Sequence, residues 1–136
     1  MTADERGDRR ISQEHSLVRA ELTDDPTIDI TTTGRRTGEL RRIEIWMLDI
    51  DGRFFITGTP GGRDWLANIA ADPHLVVHLK RHAHVDLAAS ATPVDDGPTR
   101  RAVLEHRSAA WYRDQQALEV LLVSAPMVEV VFDRPA

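Results

Sequence analysis

The feature that most constrains the fold is the pair Asp51-Gly52, set between two strand-like runs. Asp-Gly favours the positive-φ positions of a two-residue hairpin turn, so the flanking runs must be adjacent and antiparallel. The first run, Arg42 to Ile50, places Ile43, Ile45 and Met47 on one face and Trp46, Leu48 and Ile50 on the other. Its second half is apolar on both faces, which predicts a central place in the sheet. The second run, Arg53 to Thr59, sets Phe55, Thr57 and Thr59 on a common face.

The remaining chain supplies more strands than helices. Ser12 can cap a helix reaching Leu22, with Leu17, Val18 and Leu22 on one stripe, and Asp24-Asp25-Pro26 ends it. Ile28 to Thr33 is a short β-branched strand. After Pro60-Gly61-Gly62 a helix spans about Arg63 to Ala71, and Asp72-Pro73 stops it. Leu75 to Arg81 and His84 to Val94 read as a strand pair. Asp95-Asp96-Gly97-Pro98 opens a helical region to about Val123, with a break near Ser108. Val128, Val130 and Phe132 alternate on a last strand. The expected class is mainly β with helices, an α+β protein of about six antiparallel strands. Closing that sheet into a barrel leaves fewest bare edges; a single sheet backed by helices is the alternative. Residues 1–10 are expected to be a disordered tail and 11–136 one domain.

Composition narrows the function. The net charge of −5 argues against nucleic acid as the main partner, since phosphate backbones need a broad basic surface. No apolar run approaches the ~20 residues of a membrane span, and the charged start of the chain is not expected to be a secretory signal. The chain has no cysteine, which excludes thiol catalysis and thiolate metal sites and fits a cytoplasmic setting. His78, His82 and His84 have poor spacing for zinc.

Against that acidic background, Thr31-Thr32-Thr33-Gly34-Arg35-Arg36-Thr37-Gly38 reverses the local sign, with Arg41 and Arg42 just behind it. Glycines bring backbone amides close to a ligand, and guanidinium forks match phosphate oxygens in pairs. The turn is read either as an anion site for a phosphate-bearing cofactor or as a solvated hairpin loop. It is not a nucleotide P-loop, because that spacing and the following helix are absent. Thr57-Gly58-Thr59-Pro60-Gly61-Gly62 is open to two readings as well, a ligand approach at a helix start or a plain connection. Trp65 and Asn68 share a helix face, Trp65 as core or pocket wall and Asn68 as a polar group able to bond a loop or ligand.

The T-T-T-G-R-R-T-G turn, the arginine opening the next strand, the Gly-Gly before a tryptophan helix and W-L-A-N-I-A-A-D-P-H-L-V-V resemble, in order and spacing, the deazaflavin-dependent nitroreductase family. These are split β-barrel flavin and deazaflavin oxidoreductases, and the resemblance covers roughly Ile28 to Val94. It implies that Gly34, Arg35, Arg36, Thr37, Gly38 and Arg41 or Arg42 hold the phosphate-containing tail of coenzyme F420. It implies that Thr57, Thr59, Gly61 and Gly62 lie beside the deazaflavin ring and tail, that Trp65 and Asn68 close the same groove, and that Trp46 lines the substrate side. The implied reaction is hydride transfer from reduced F420 to a small-molecule quinone-, enone- or nitro-type acceptor, with Thr59 or solvent giving the second proton. FMN is the alternative cofactor, and carriage of FMN, a lipid or another ligand without turnover is the alternative role. A homodimer is expected, since an exposed apolar sheet face can pair. The chain departs from the family pattern at Glu39-Leu40-Arg41, where a proline usually precedes the arginine, and in a shorter glycine loop carrying Pro60.

Overall fold

The computed structural model describes residues 15–133. The expected tail at 1–10 and the Ser12 cap lie outside the described residues. The first described element, α1, is helical over residues 15–22. Then come β1 (Thr27–Thr33), β2 (Leu40–Trp46), β3 (Leu48–Ile50), β4 (Arg53–Thr57), α2 (Asp64–Ala71), β5 (His74–Leu79) and β6 (Val85–Pro93). Helix α3 (Gly97–Glu105), a 3₁₀ turn (Arg107–Ala109), α4 (Ala110–Gln115) and α5 (Leu118–Ser124) precede β7 (Met127–Phe132). The break expected near Ser108 is the 3₁₀ turn.

All seven strands form one antiparallel sheet in the order β2-β1-β5-β6-β7-β4-β3. The Asp51-Gly52 turn makes the expected hairpin, with φ of +54° and +89° and Leu48 opposite Phe55. The run read as one strand from Arg42 starts two residues earlier and is interrupted at Met47. Its halves lie at the two ends of the sheet, not at its centre. Met47 is fully buried, and its amide leaves the ladder to donate to the Pro26 carbonyl at 2.9 Å. One continuous stretch of chain thus joins both sheet edges and curls the sheet into a split β-barrel. The seventh strand arises from this interruption.

Two apolar clusters explain why the second half of that run is apolar on both faces. The barrel interior holds Ile28, Ile30, Met47, Phe54, Ile56, Val77 and Val130, with Val18 of α1 and Trp65 and Ile69 of α2 closing it. The other cluster packs α3, α4 and α5 against the opposite face through Leu48, Ile50, Phe55, Leu104, Tyr112 and Leu121. Helices, not flanking strands, cover the outer side of β3. Leu75, Val77 and Leu79 of β5 point into the barrel, as does Leu87 of β6, in keeping with the period-2 pattern.

Candidate functional site

The β1–β2 connection is built by its own polar atoms. The Gly34 amide donates to the Glu39 carbonyl at 2.7 Å, and the Gly38 amide donates back to the Gly34 carbonyl at 2.9 Å. Thr37 Oγ1 accepts from the Glu39 amide at 3.2 Å. Gly38 has φ +75°, which favours glycine. A Cβ on Gly34 would stand 3.0 Å from the Glu39 carbonyl oxygen. Both glycines are therefore needed to close the turn. Among the described residues, the amides of Arg36 and Thr37 remain without a hydrogen bond.

This turn and α2 bound a groove of about 550 Å³, lined by Thr32, Gly34, Arg35, Arg36, Thr37, Arg41, Ile43, Asp64, Trp65 and Asn68. Three arginines face one aspartate. Buried Asn68 accepts from the Arg35 amide and from Arg35 Nη1, each at 3.1 Å, and donates to Thr32 Oγ1 at 3.3 Å. Asp64 Oδ1 lies 3.6 Å from Arg35 Nη2, its side chain 94% exposed. Arg41 Nη2 is 3.7 Å from Glu39, both well exposed. No ion pair holds Arg36 among the described residues. Trp65 and Ile43 give the groove an apolar wall. Three arginines and the turn residue Thr37 line one concave surface, a residue set suited to phosphate oxygens.

Of the residues read as cofactor contacts, Gly34, Arg35, Arg36, Thr37, Arg41, Trp65 and Asn68 meet in this groove. Gly38 shapes the turn from behind. Strand alternation separates the two candidate arginines: Arg41 shares a face with Ile43, whereas Arg42 points the other way and donates to Asp29 at 3.0 Å. Trp46 is on the Arg42 face, edge-to-face with Trp111 and Tyr112 at centroid distances of 5.3 and 6.0 Å. Buried Thr57 donates its hydroxyl to the Pro126 carbonyl at 2.7 Å. The glycine loop wraps Arg63, whose Nη2 donates to the Thr59 carbonyl at 2.9 Å and Thr59 Oγ1 at 3.1 Å, and whose Nη1 donates to the Gly62 carbonyl. Trp46, Thr57, Thr59, Gly61 and Gly62 do not line the groove. Thr32, Ile43 and Asp64 do, and none of them was read as a cofactor contact from sequence. Thr32 is the polar end of the inward series Ile28, Ile30, Thr32, and Ile43 follows Arg41 by two, so both were marked by alternation.

The fold recurs among solved structures. A protein of the pyridoxinephosphate oxidase family related to general stress protein 26, from Clostridium acetobutylicum, superposes with a TM-score of 0.64 at 11% identity, covering 90% of this chain and 89% of its own. An FAD-binding protein from Mesorhizobium loti gives 0.59 at 12% identity, with 88% and 89% covered. An F420-H2 dependent reductase, FDR-A, gives 0.53 at 19% identity, with 78% and 94% covered. Residues 6–121 match the model of the F420H(2)-dependent quinone reductase family, and with most of its length so matched the chain belongs to that family.

Proposed function

We propose that this protein is an F420-dependent oxidoreductase and that the groove between the Gly34–Gly38 turn and α2 takes the phosphate-bearing tail of the cofactor. The observation that carries the reading is that Arg35, Arg36 and Arg41 line one groove together, with Asp64 as its one lining carboxylate among the described residues. Family membership and the similarity to an F420-H2 dependent reductase support the choice of cofactor. When bound, reduced F420 supplies a hydride from its C5 carbon, and a quinone-, enone- or nitro-type acceptor receives it. The chain's own part is binding and placement. Arg36 and Arg41 neutralise the phosphate, the turn amides orient it, and Trp65 and Ile43 keep water from the groove wall. Among the described residues Asp64 is the one carboxylate lining the groove, and the Thr59 hydroxyl accepts from Arg63 outside it. The one proton that completes the hydride reduction comes from solvent or from the Thr59 hydroxyl.

A second reading, FMN held in the same groove without turnover, is supported by the fold shared with an FAD-binding protein. We further propose a single cytoplasmic domain that self-associates through exposed apolar residues such as Leu40 and Val131 (73% and 60% exposed), which size-exclusion chromatography reads directly.

The test is fluorescence titration with F420 and with FMN, followed by reoxidation of reduced F420 by menadione. F420 binds and is turned over, and Arg35→Glu with Arg36→Glu abolishes binding while circular dichroism stays unchanged. Unchanged F420 emission at tens of micromolar protein, with FMN binding instead, sinks the deazaflavin reading.

A further inference from the structure

We propose that Asn68 is a positioning residue that presets Arg35 for the ligand. This rests on the groove being an anion site. Asn68 is 4% exposed on α2, and both acceptor positions of Oδ1 and one Nδ2 donor are engaged by the protein. A carbonyl oxygen offers two lone pairs, and Oδ1 uses both on Arg35: one for the backbone amide and one for Nη1. The amide nitrogen donates to buried Thr32 Oγ1, the last inward side chain of β1. One buried amide thereby ties three elements together: the helix, the end of β1 and the first residue after Gly34.

The consequence for Arg35 is directional. An arginine on a turn ordinarily loses rotamer freedom when it engages an anion. Here Nη1 and the backbone beneath it are fixed to the same oxygen before any ligand arrives. The Nε/Nη2 edge stays open, and it faces the groove, where the exposed Asp64 carboxylate stands 3.6 Å from Nη2. Arg35 thus presents one fork edge in one orientation, while Arg36, which has no such support, adapts. The part of Asn68's contribution that acts through the Arg35 guanidinium should vanish once that side chain is gone, while the bond to the residue-35 backbone amide persists.

A double-mutant cycle decides this. F420 affinity is measured by fluorescence for wild type, Asn68→Ser, Arg35→Ala and the double variant, with circular dichroism confirming the fold. Asn68→Ser weakens binding roughly tenfold, a loss of one charge-assisted contact's worth of positioning. In the Arg35→Ala background the same change has a clearly smaller effect, because the bond to the Nη1 group is already gone. An equal loss in both backgrounds, or none in wild type, overturns the proposal. A second readout needs no cofactor: residue-resolved hydrogen exchange of the Arg35 amide. It is protected in wild type, loses protection in Asn68→Ser and recovers it in Asn68→Asp, which keeps an oxygen in place of Oδ1. Should wild type fail to bind F420, the anion-site reading falls, and Arg35 exchange alone then decides the link; unchanged exchange in Asn68→Ser overturns it.

Discussion

Trp46 and Leu48 are two residues apart in the chain and lie on opposite edges of the same sheet. Trp46 pairs with Thr27 at one end of the strand order, and Leu48 pairs with Phe55 at the other. The residue between them, Met47, lets the sheet curl back on itself. Its amide leaves the ladder for Pro26, and its side chain drops into the barrel core. The same curl turns Arg41 and Ile43 inward, toward α2, and so creates the groove.

Met47→Ala should therefore weaken the barrel at its seam. Truncating a fully buried methionine costs about 2–5 kcal/mol through lost burial and the cavity left behind. Urea denaturation reads this as a lower midpoint with an unchanged slope. Met47→Leu, close in volume, should cost less than about 1.5 kcal/mol. Equal losses from both would mean that the position tolerates no repacking.

Gly61 is required by its own backbone conformation, and it sits against Arg63. Its φ of +137° is strained for any other residue, and a Cβ there would stand 2.8 Å from Arg63 Nη1. Gly61→Ala is expected to expel the guanidinium from its loop carbonyls and lower stability by about 1–3 kcal/mol, read from thermal melts. If the glycine instead serves ligand approach, stability holds and only F420 affinity falls.

Much of this architecture was legible from local pattern. The Asp51-Gly52 turn, the alternation of Leu75, Val77 and Leu79, and the stop at Asp72-Pro73 follow from backbone preferences that need no tertiary context. The sign reversal around Arg35 and Arg36 likewise located the groove. What escaped was long-range. Apolar faces on Leu48 and Ile50 say that something covers them, and nothing local distinguishes a flanking strand from a packed helix. Thr57 and Gly61 carry the residue types of a binding loop, yet their partners, Pro126 and Arg63, become visible only when β7 and the start of α2 are in place. Arg41 and Arg42 were equivalent as charges until the position of α2 gave one face of β2 a meaning.

Glu21 predicts an acid-sensitive anchor for α1. Its carboxylate is fully buried and accepts backbone N–H groups from Lys80, Arg81, His82 and Ala83 at 2.8–3.1 Å. Burial pushes its pKa up, and the four amides more than offset this, holding it below the usual glutamate value of 4.5. A carboxyl with a depressed folded-state pKa stabilises the fold fully above its unfolded value, and that stability is lost as pH falls through the folded one. Wild type should therefore lose stability progressively below about pH 4.5. Glu21→Gln should cost about 1–3 kcal/mol at pH 7, because its NH₂ faces donors, and should flatten the dependence in the acid window. Melting curves from pH 3 to 7 check both; parallel profiles would contradict the anchor.

Asp64 should act as a competitor inside the groove. Its exposed carboxylate stands 3.6 Å from Arg35 Nη2, on the fork edge that Asn68 leaves open. A phosphate oxygen reaching that edge must displace the carboxylate or bear its repulsion. Both effects oppose binding, and both are small at so exposed a site because water and salt screen them. Removing the charge without changing the shape, in Asp64→Asn, is thus expected to tighten F420 binding by about fivefold at most at low ionic strength. The gain should shrink toward none near 1 M salt, where the screening length falls to about 3 Å. The opposite result, weaker binding in Asp64→Asn at low salt, would mean that the carboxylate holds Arg35 in its working orientation. The sign of the change at low salt separates the two roles, since both are Coulombic and both shrink as salt rises.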